Sequence, residues 1–103
     1  MYAAAVSAAQ AARQQLDGLG FTSTQLGITP MIGVNDSAGE TFTLENASSL
    51  TAWANANGIA ELAFWAMPRD NGNCAGRGSA APGCSGIEQS AFQFSSIFQG
   101  FAP

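Results

Sequence analysis

The sequence predicts an α/β protein, because two apolar strand-like segments alternate with three segments that favour helix. The strand-like segments are LGITPMIGV and IAELAFWAM, and neither alternates polar with apolar residues as a half-exposed strand would. Alternating buried strands and helices imply parallel strands joined by right-handed crossovers. Two such strands cannot form a covered sheet, so we expect these 103 residues to be an excerpt from a larger α/β structure.

The first helix is predicted over residues 2–17, YAAAVSAAQAARQQLD, which contain strong helix formers and neither glycine nor proline. Gly18 and Gly20 would end it. The apolar face of this helix is expected to carry Val6, Ala9, the stem of Arg13 and Leu16.

The first strand is predicted over residues 27–34. Pro30 cannot donate a hydrogen bond to a ladder, so we expect a bulge or irregular pairing there. The second helix is predicted to begin after Thr43, a suitable N-cap, and to stop at Gly58. Its apolar positions at helical spacing are Leu44, Ala47, Leu50 and Ala54.

The second strand is predicted in residues 59–67, with Glu61 inside it. The last helix is predicted in IEQSAFQFSSIFQGF, residues 87–101, with Glu88 at its start. Its apolar residues are Ile87, Phe94, Ile97 and Phe98.

Cys74 and Cys84 lie in a segment too rich in glycine and proline to be helical, and their spacing excludes a CxxC redox pair. We expect a disulfide that closes this loop and stabilises the fold by at most about 3 kcal/mol. The alternative is two reduced thiols in a cytoplasmic protein. Low charge, many small residues and the cysteine pair together favour a secreted protein.

Composition narrows the classes of partner. Three arginines, no lysine and seven carboxylates give a formal net charge of −4 at pH 7, which disfavours nucleic acid and anionic membranes. We expect no membrane span and no signal peptide in this chain, because the apolar runs are short and no apolar signal core follows Met1. With no histidine and two cysteines, no cofactor and no zinc or haem site is expected.

Polar residues follow both predicted strands, in VNDSAGE and in PRDNGNC. The carboxyl ends of parallel strands meet at one edge, so one set of residues is expected there: Asn35, Asp36, Trp65, Arg69 and Asp70. An indole can stack on the apolar face of a sugar ring, while amide, carboxylate and guanidinium groups bond its hydroxyls. The alternatives are a core aromatic for Trp65, an Asx-type turn for Asp36 and a loop ion pair for Arg69 with Asp70.

Three segments resemble bacterial and archaeal chitinases of glycoside hydrolase family 18: TPMIGVND (29–36), TFTLENASSLTAWANANGI (41–59) and LAFWAMPRD (62–70). The resemblance covers about residues 26–100, and the first helix more loosely. It implies the C-terminal part of a bacterial chitinase, with residues 28–34 and 59–66 as strands seven and eight of a (β/α)8 TIM barrel. Residues 1–103 would then be a partial catalytic domain.

The same resemblance implies a substrate site. Trp65 matches the tryptophan at the end of strand eight, which forms the floor beneath the sugar being cleaved. Met31, Asn35 and Asp36 match the strand-seven segment at the rim of that cleft. The implied substrate is chitin or a chitooligosaccharide, whose N-acetyl group acts as the nucleophile in a substrate-assisted retaining hydrolysis.

The catalytic acid of that family is not found in this chain. The family carries it in a DxxDxE motif on strand four, and no three carboxylates here have that spacing: Asp17, Asp36, Glu40, Glu45, Glu61, Asp70 and Glu88. The resemblance therefore implies a chain that holds substrate through Trp65, contains no catalytic residue and is inactive alone.

Two further functions stay open. One is a non-catalytic glycan-binding module, alone or self-assembled, and the other is a small structural α/β domain with an accidental likeness to chitinases. Both predicted strands would be apolar edges, so we expect the isolated fragment to aggregate, to form a molten compact state or to self-associate as an oligomer, and not to be a well-ordered monomer. Composition and resemblance together predict an extracellular location.

Overall fold

The chain contains three α-helices and four short strands within residues 1–37 and 39–102, the part that the computed structural model describes. In chain order they are α1 (Tyr2–Gly18), β1 (Gly27–Ile28), β2 (Gly33–Val34), β3 (Thr41–Phe42), α2 (Leu44–Ala56), β4 (Glu61–Leu62), a 3₁₀ turn (Met67–Arg69) and α3 (Gln93–Phe98). The predicted alternation of helices and strands is confirmed. In addition, β2 and β3 form a hairpin that the sequence did not indicate.

β1 and β4 form the predicted parallel pair. The pairing starts with Gly27 opposite Glu61 and reaches a bridge between Met31 and Trp65 in the same register. The ladder is interrupted beside Pro30, which has no N–H to donate. The expected irregular pairing is therefore confirmed. The register is the same on both sides of Pro30, so the pairing between the described strands β1 and β4 contains no bulge.

The predicted strand 27–34 is two strands rather than one. Gly33 has a φ of +71°, and β2 pairs antiparallel with β3 through Gly33 opposite Phe42 and Val34 opposite Thr41. A Cβ added at Gly33 would lie 2.2 Å from the carbonyl oxygen of Ser85. Only glycine satisfies both the left-handed backbone and this close approach, so Gly33 turns the chain out of the parallel ladder.

α2 begins at the predicted cap. The Thr43 hydroxyl accepts a hydrogen bond from the Asn46 N–H at 3.1 Å, and the Asn46 side chain accepts one from the Thr43 N–H at 2.9 Å. This reciprocal capping box fixes the entry of the chain into the helix. α1 extends one residue beyond the prediction, and Ala9 is the buried member of its predicted apolar face while Val6 packs against the core from a partly exposed position.

The core joins α2 and α3 to the hairpin. Its buried members are Ile32, Phe42, Ala47, Leu50, Phe94 and Phe98. The Phe42 ring centroid lies 6.3 Å from that of Phe94 and 6.5 Å from that of Phe98. Contacts between these rings fix α3 against β3.

α3 is shorter than the sequence predicts. The prediction places a helix start near Ile87, but the helix spans Gln93–Phe98, so Glu88 lies in the preceding loop and its placement at a helix start is wrong. This loop is held by polar bonds such as the one from the Ser85 hydroxyl to the Asn71 carbonyl at 3.0 Å. The Asp70 carboxylate accepts hydrogen bonds from the N–H groups of Phe94 and Ser95, so the helix starts beside this carboxylate and not at Ile87.

Candidate functional site

The carboxyl ends of β1 and β4 meet at one edge, as the sequence predicts. The Trp65 N–H donates to the Pro30 carbonyl at 2.9 Å, and the Ile32 N–H donates to the Trp65 carbonyl at 3.0 Å. The peptide bond between Trp65 and Ala66 is cis. Trp65 itself is 64% exposed, which contradicts the alternative of a core aromatic. Its backbone is held on both sides while its indole faces solvent.

Met31 and Asn35 lie at the same edge as Trp65, and the surface formed by Met31, Asn35, Asp36 and Trp65 is called the rim below. Met31 and Asn35 have different surroundings. Met31 is half-buried and forms the bridge to Trp65. The Asn35 amide donates to the carbonyls of Met31 and Gly33, both at 3.0 Å. Both amide protons of Asn35 are thus used inside the protein, and this side chain holds the turn that leads to Asp36.

Asp36 is exposed in a cleft of about 320 Å³ that is also lined by Asn35, Glu40, Thr41 and Ser79. A carboxylate in this position can accept hydrogen bonds from the hydroxyl groups of a ligand. The alternative of an Asx-type turn here involves residue 38 and lies outside the described residues.

Arg69 does not belong to the exposed rim. It is 1% exposed, and its guanidinium donates to the main-chain carbonyls of Ile32, Val34 and Ala81, the last two at 2.8 Å. Burial lowers the pKa of Arg69 from its ordinary value, and the negative charge of Asp36 acts in the opposite direction. Arginine starts so high that the group stays charged. The interpretation of Arg69 as a sugar-binding group is wrong.

Asp70 is also 1% exposed and caps α3 from a distant part of the chain. Its two oxygens accept hydrogen bonds from the Phe94 N–H at 3.0 Å and the Ser95 N–H at 2.9 Å. They also accept bonds from the Ser95 hydroxyl and the Gln89 amide, both at 2.7 Å. No ion pair joins Arg69 and Asp70 in the described residues, so both sequence-based interpretations of Asp70 are wrong.

Cys74 and Cys84 form the predicted disulfide, with their Cα atoms 5.9 Å apart. An isolated bridge between Ala81 and Cys84 lies inside the closed loop. The carbonyl of Ala81 accepts a hydrogen bond from Arg69, so the disulfide loop supplies one of the three acceptors on which Arg69 depends.

Sequence reasoning missed two exposed apolar residues that follow β4 along the chain, Met67 and Phe92. The Met67 sulfur lies 3.5 Å from the Ser95 hydroxyl, at the start of α3. Phe92 directly precedes α3, has a φ of 60° and is 57% exposed. The segment SAFQFSS fits the predicted helix, and nothing in that pattern marks a left-handed residue, so no sequence signal identified Phe92.

Residues 1–37 and 39–102 contain no group of three or more histidine, cysteine, aspartate or glutamate side chains that could hold a metal ion. None of the helices in this part of the chain has the length and apolar character needed to cross a membrane. The side chains of Trp65, Met31, Asn35 and Asp36 carry an indole, a thioether, an amide and a carboxylate.

Three solved structures of chitinase domains from Pyrococcus furiosus are similar to this chain. The catalytic domain of the hyperthermophilic chitinase matches with a TM-score of 0.86 and 31% identity, over 99% of this chain and 36% of that chain. Catalytic-site mutants of active domain 2 match with a TM-score of 0.85 and 31% identity, over the same shares of the two chains. Mutants of that domain complexed with chito-oligosaccharides match with a TM-score of 0.84 and 32% identity, over 95% of this chain and 34% of that chain.

No protein-family profile and no curated protein matches the chain. The chain spans about a third of the length of the solved structures that it resembles. Its fold matches that of a chitinase catalytic domain over this part, which argues against an accidental likeness between small α/β proteins.

Proposed function

We propose that this chain is the C-terminal part of a chitinase catalytic domain of the TIM-barrel type, to which it contributes part of the sugar-binding cleft. The supporting observation is the exposed indole of Trp65 at the carboxyl ends of two parallel strands. Substrates of (β/α)8 barrels bind at that end of the strands. A ligand, rather than core side chains, would then cover the indole.

The rim supplies binding groups for a polymer of β-1,4-linked N-acetylglucosamine. The apolar face of a pyranose ring would stack on Trp65, beside the thioether of Met31, and the Asp36 carboxylate would accept hydrogen bonds from its hydroxyls. Asn35 would act as a positioning residue, because its amide holds the turn before Asp36.

Hydrolysis would require a general acid from outside these residues. In a substrate-assisted retaining reaction the N-acetyl oxygen attacks the anomeric carbon while the acid protonates the leaving oxygen. No carboxylate in the described rim is buried beside the indole, since Asp36 is exposed and Asp70 is used by α3. This chain alone is therefore proposed to bind without cleaving.

Binding to chitin tests the proposal. The 103-residue chain should bind insoluble chitin and chitohexaose, and Trp65→Ala should weaken both by about tenfold or more, because it removes the stacking surface. Trp53→Phe serves as the matched control, since it changes the other tryptophan and keeps an aromatic ring. Equal binding by wild type and Trp65→Ala would remove the basis of the proposed function.

Hydrolysis gives a second test. The purified chain should release no detectable reducing sugar from chitohexaose, because general acid catalysis alone contributes about 10²- to 10⁴-fold. Turnover that persists through repeated purification, and that disappears in Trp65→Ala, would show that a catalytic acid has been overlooked.

The gene tests the proposed place in a larger protein. We expect the DNA upstream of the Met1 codon to continue an open frame that encodes further strands and the DxxDxE motif. A stop codon directly upstream of the Met1 codon, with no coding sequence for these strands or for the DxxDxE motif before it, would favour an independent binding module. The disulfide supports the further proposal that the protein is exported, because such bonds persist in oxidising compartments.

The outer edge of β1 supports a proposal about the isolated chain. Among the described strands β1 pairs with β4 alone, and a groove of about 480 Å³ beside it is lined by apolar residues of α1 and β1. Pairing with another copy would cover this edge. Sedimentation should therefore show concentration-dependent association, and a monomer with a sharp, well-dispersed amide spectrum would contradict it.

A further inference from the structure

The cleft that contains Asp36 has two walls, which come from distant parts of the chain. The turn after β2 supplies one wall through Asn35 and Asp36, and residues 78–80 supply the other. Residues 78–80 belong to the loop that the bond between Cys74 and Cys84 closes. The position of the Asp36 carboxylate relative to the second wall therefore depends on the groups that join this loop to β2.

Arg69 joins the disulfide loop to β2 from inside the protein. Its guanidinium donates hydrogen bonds to the carbonyls of Ala81 and Val34, both at 2.8 Å, and to the carbonyl of Ile32. The guanidinium is planar and rigid, so a movement of one acceptor changes the geometry of the other two bonds. Val34 lies two residues before Asp36, and a displacement of Ala81 is therefore transmitted to the backbone that carries the carboxylate.

The charges of Arg69 and Asp36 interact without direct contact. Burial lowers the pKa of Arg69, and the negative charge of Asp36 opposes that shift. Within residues 1–37 and 39–102 the two side chains form no ion pair. Arg69 thus acts on Asp36 through its charge as well as through the backbone of β2.

The disulfide is the covalent part of this connection. Between Cys74 and Cys84 the described residues form turns, bends and one isolated bridge, which joins Ala81 to Cys84. Opening the disulfide would give this loop more conformational freedom. The Ala81 carbonyl would then lie against the guanidinium for a smaller fraction of the time, and β2 would lose part of its attachment.

We propose that Arg69 is a positioning residue through which the Cys74–Cys84 disulfide holds Asp36 in the place where it accepts hydrogen bonds from sugar hydroxyls. This inference rests on the proposed function and gives the disulfide a part in binding as well as in stability. The Trp65 backbone is bonded to Pro30 and Ile32, and neither residue belongs to the disulfide loop. Stacking on the indole is therefore expected to survive when the disulfide is opened.

The test measures chitohexaose binding before and after reduction of the disulfide. Wild type, Asp36→Ala and Trp65→Ala are titrated in both states at one protein concentration, and the amide spectrum of each sample shows whether it remains folded. The double variant Cys74→Ser, Cys84→Ser is treated with the same phosphine reductant and serves as the matched control.

Reduction should weaken chitohexaose binding about three- to fivefold in wild type, and by the same factor in Trp65→Ala. Oxidised Asp36→Ala should bind about fivefold more weakly than oxidised wild type. Reduction should change the affinity of Asp36→Ala less than twofold, because the group that the disulfide positions has been removed. The double cysteine variant should bind like reduced wild type and should not respond to the reductant.

Arg69→Lys tests the same connection with the disulfide intact. Lysine keeps the charge but cannot bond three carbonyls as a planar fork, so the affinity for chitohexaose should fall about threefold. In the Asp36→Ala background Arg69→Lys should cause no further loss, which a double-mutant cycle measures. This cycle decides the matter if the reduced chain loses its dispersed amide spectrum.

An equal response to reduction in wild type and Asp36→Ala would overturn the proposal, because the disulfide would then act on the whole fold. Additive losses in Arg69→Lys and Asp36→Ala would also overturn it, as would an Asp36→Ala variant that binds like wild type. Trp65→Ala separates the two proposals. Weak binding by Trp65→Ala, with no response of wild type to reduction, contradicts only the positioning role of Arg69. Binding by Trp65→Ala as tight as that of wild type contradicts the proposed function.

Discussion

Trp65 and Arg69 stand on the same short segment, four residues apart, and their environments are opposite. Trp65 is exposed and only its backbone is used by the fold, whereas Arg69 and Asp70 are buried and nearly all their polar atoms are bonded within it. The aromatic residue of this strand end is thus available to a ligand, and the charged residues that follow it are structural.

The reason for this difference lies in the backbone of the hairpin. Gly33 turns the chain away from the parallel ladder, so the carbonyls of Ile32 and Val34 must find donors elsewhere. A guanidinium provides five N–H donors in a planar fork and can satisfy several carbonyls at once. Arg69 fills that requirement, and it cannot serve a sugar at the same time.

Arg69→Met should have the largest effect on stability. The change removes three charge-assisted bonds and leaves buried carbonyls unpaired, so we expect a loss of about 4 kcal/mol in the free energy of unfolding. Urea denaturation measures it. Arg69→Lys, which keeps the charge but lacks the fork, should recover only part of the loss. A loss of less than about 1 kcal/mol in the free energy of unfolding of Arg69→Met would mean that the carbonyls of Ile32, Val34 and Ala81 do not depend on Arg69.

Asp70→Ala should follow, with a loss of about 3 kcal/mol, because the first turn of α3 and the Gln89 amide lose their acceptor. Asp70→Asn keeps the shape and one acceptor oxygen, and should cost less. Amide exchange localises the effect: the residues of α3 should exchange faster, while those of α2 should not. Uniformly faster exchange in both helices would speak against a local cap.

Replacing Cys74 and Cys84 by serine should cost about 2 to 3 kcal/mol through loop entropy. The change should also weaken the effect of Arg69→Met, because the Ala81 acceptor lies in the same loop. A double-mutant cycle measures this coupling. Additive effects would show that the disulfide loop and Arg69 stabilise the fold independently. Intact mass before and after reduction confirms that the wild-type bond is present.

Trp65→Ala should have the smallest effect on stability, within about 0.5 kcal/mol of wild type, since the side chain is mostly in water. The same variant is expected to lose most of its affinity for chitin. Denaturation and binding measured on one preparation test both statements. A loss of 2 kcal/mol or more would place Trp65 with the structural residues and would remove the contrast with Arg69.

The sequence predicted the parts of the fold that depend on local chemistry. The N-cap at Thr43, the long helix α1 and the disulfide were predicted because each has a signature in neighbouring residues or in a cysteine pair. The parallel pairing of β1 with β4 followed from apolar strands that alternate with helices.

The missed features depend on contacts between distant parts of the chain. The short α3 results from a cap supplied by Asp70, more than twenty residues away, and the hairpin results from the approach of Gly33 to Ser85. At the site, Trp65 could be selected because an indole at a strand end has a recognisable chemistry. Arg69 and Asp70 could not be separated from it, since burial of a charged residue depends on its tertiary partners.

The pairing of β1 with β4 also bears on the order of folding. The two strands are separated by the hairpin and by α2, so their contact has high sequence separation, whereas α2 carries its own cap and can form from local contacts. We therefore expect α2 to be protected first and the β1–β4 ladder last during refolding. Trp65 reaches its final environment only when that ladder closes, so binding competence should be gained at the end of folding. Pulse-labelled hydrogen exchange can test this order of folding, and early protection of the Trp65 amide would contradict it.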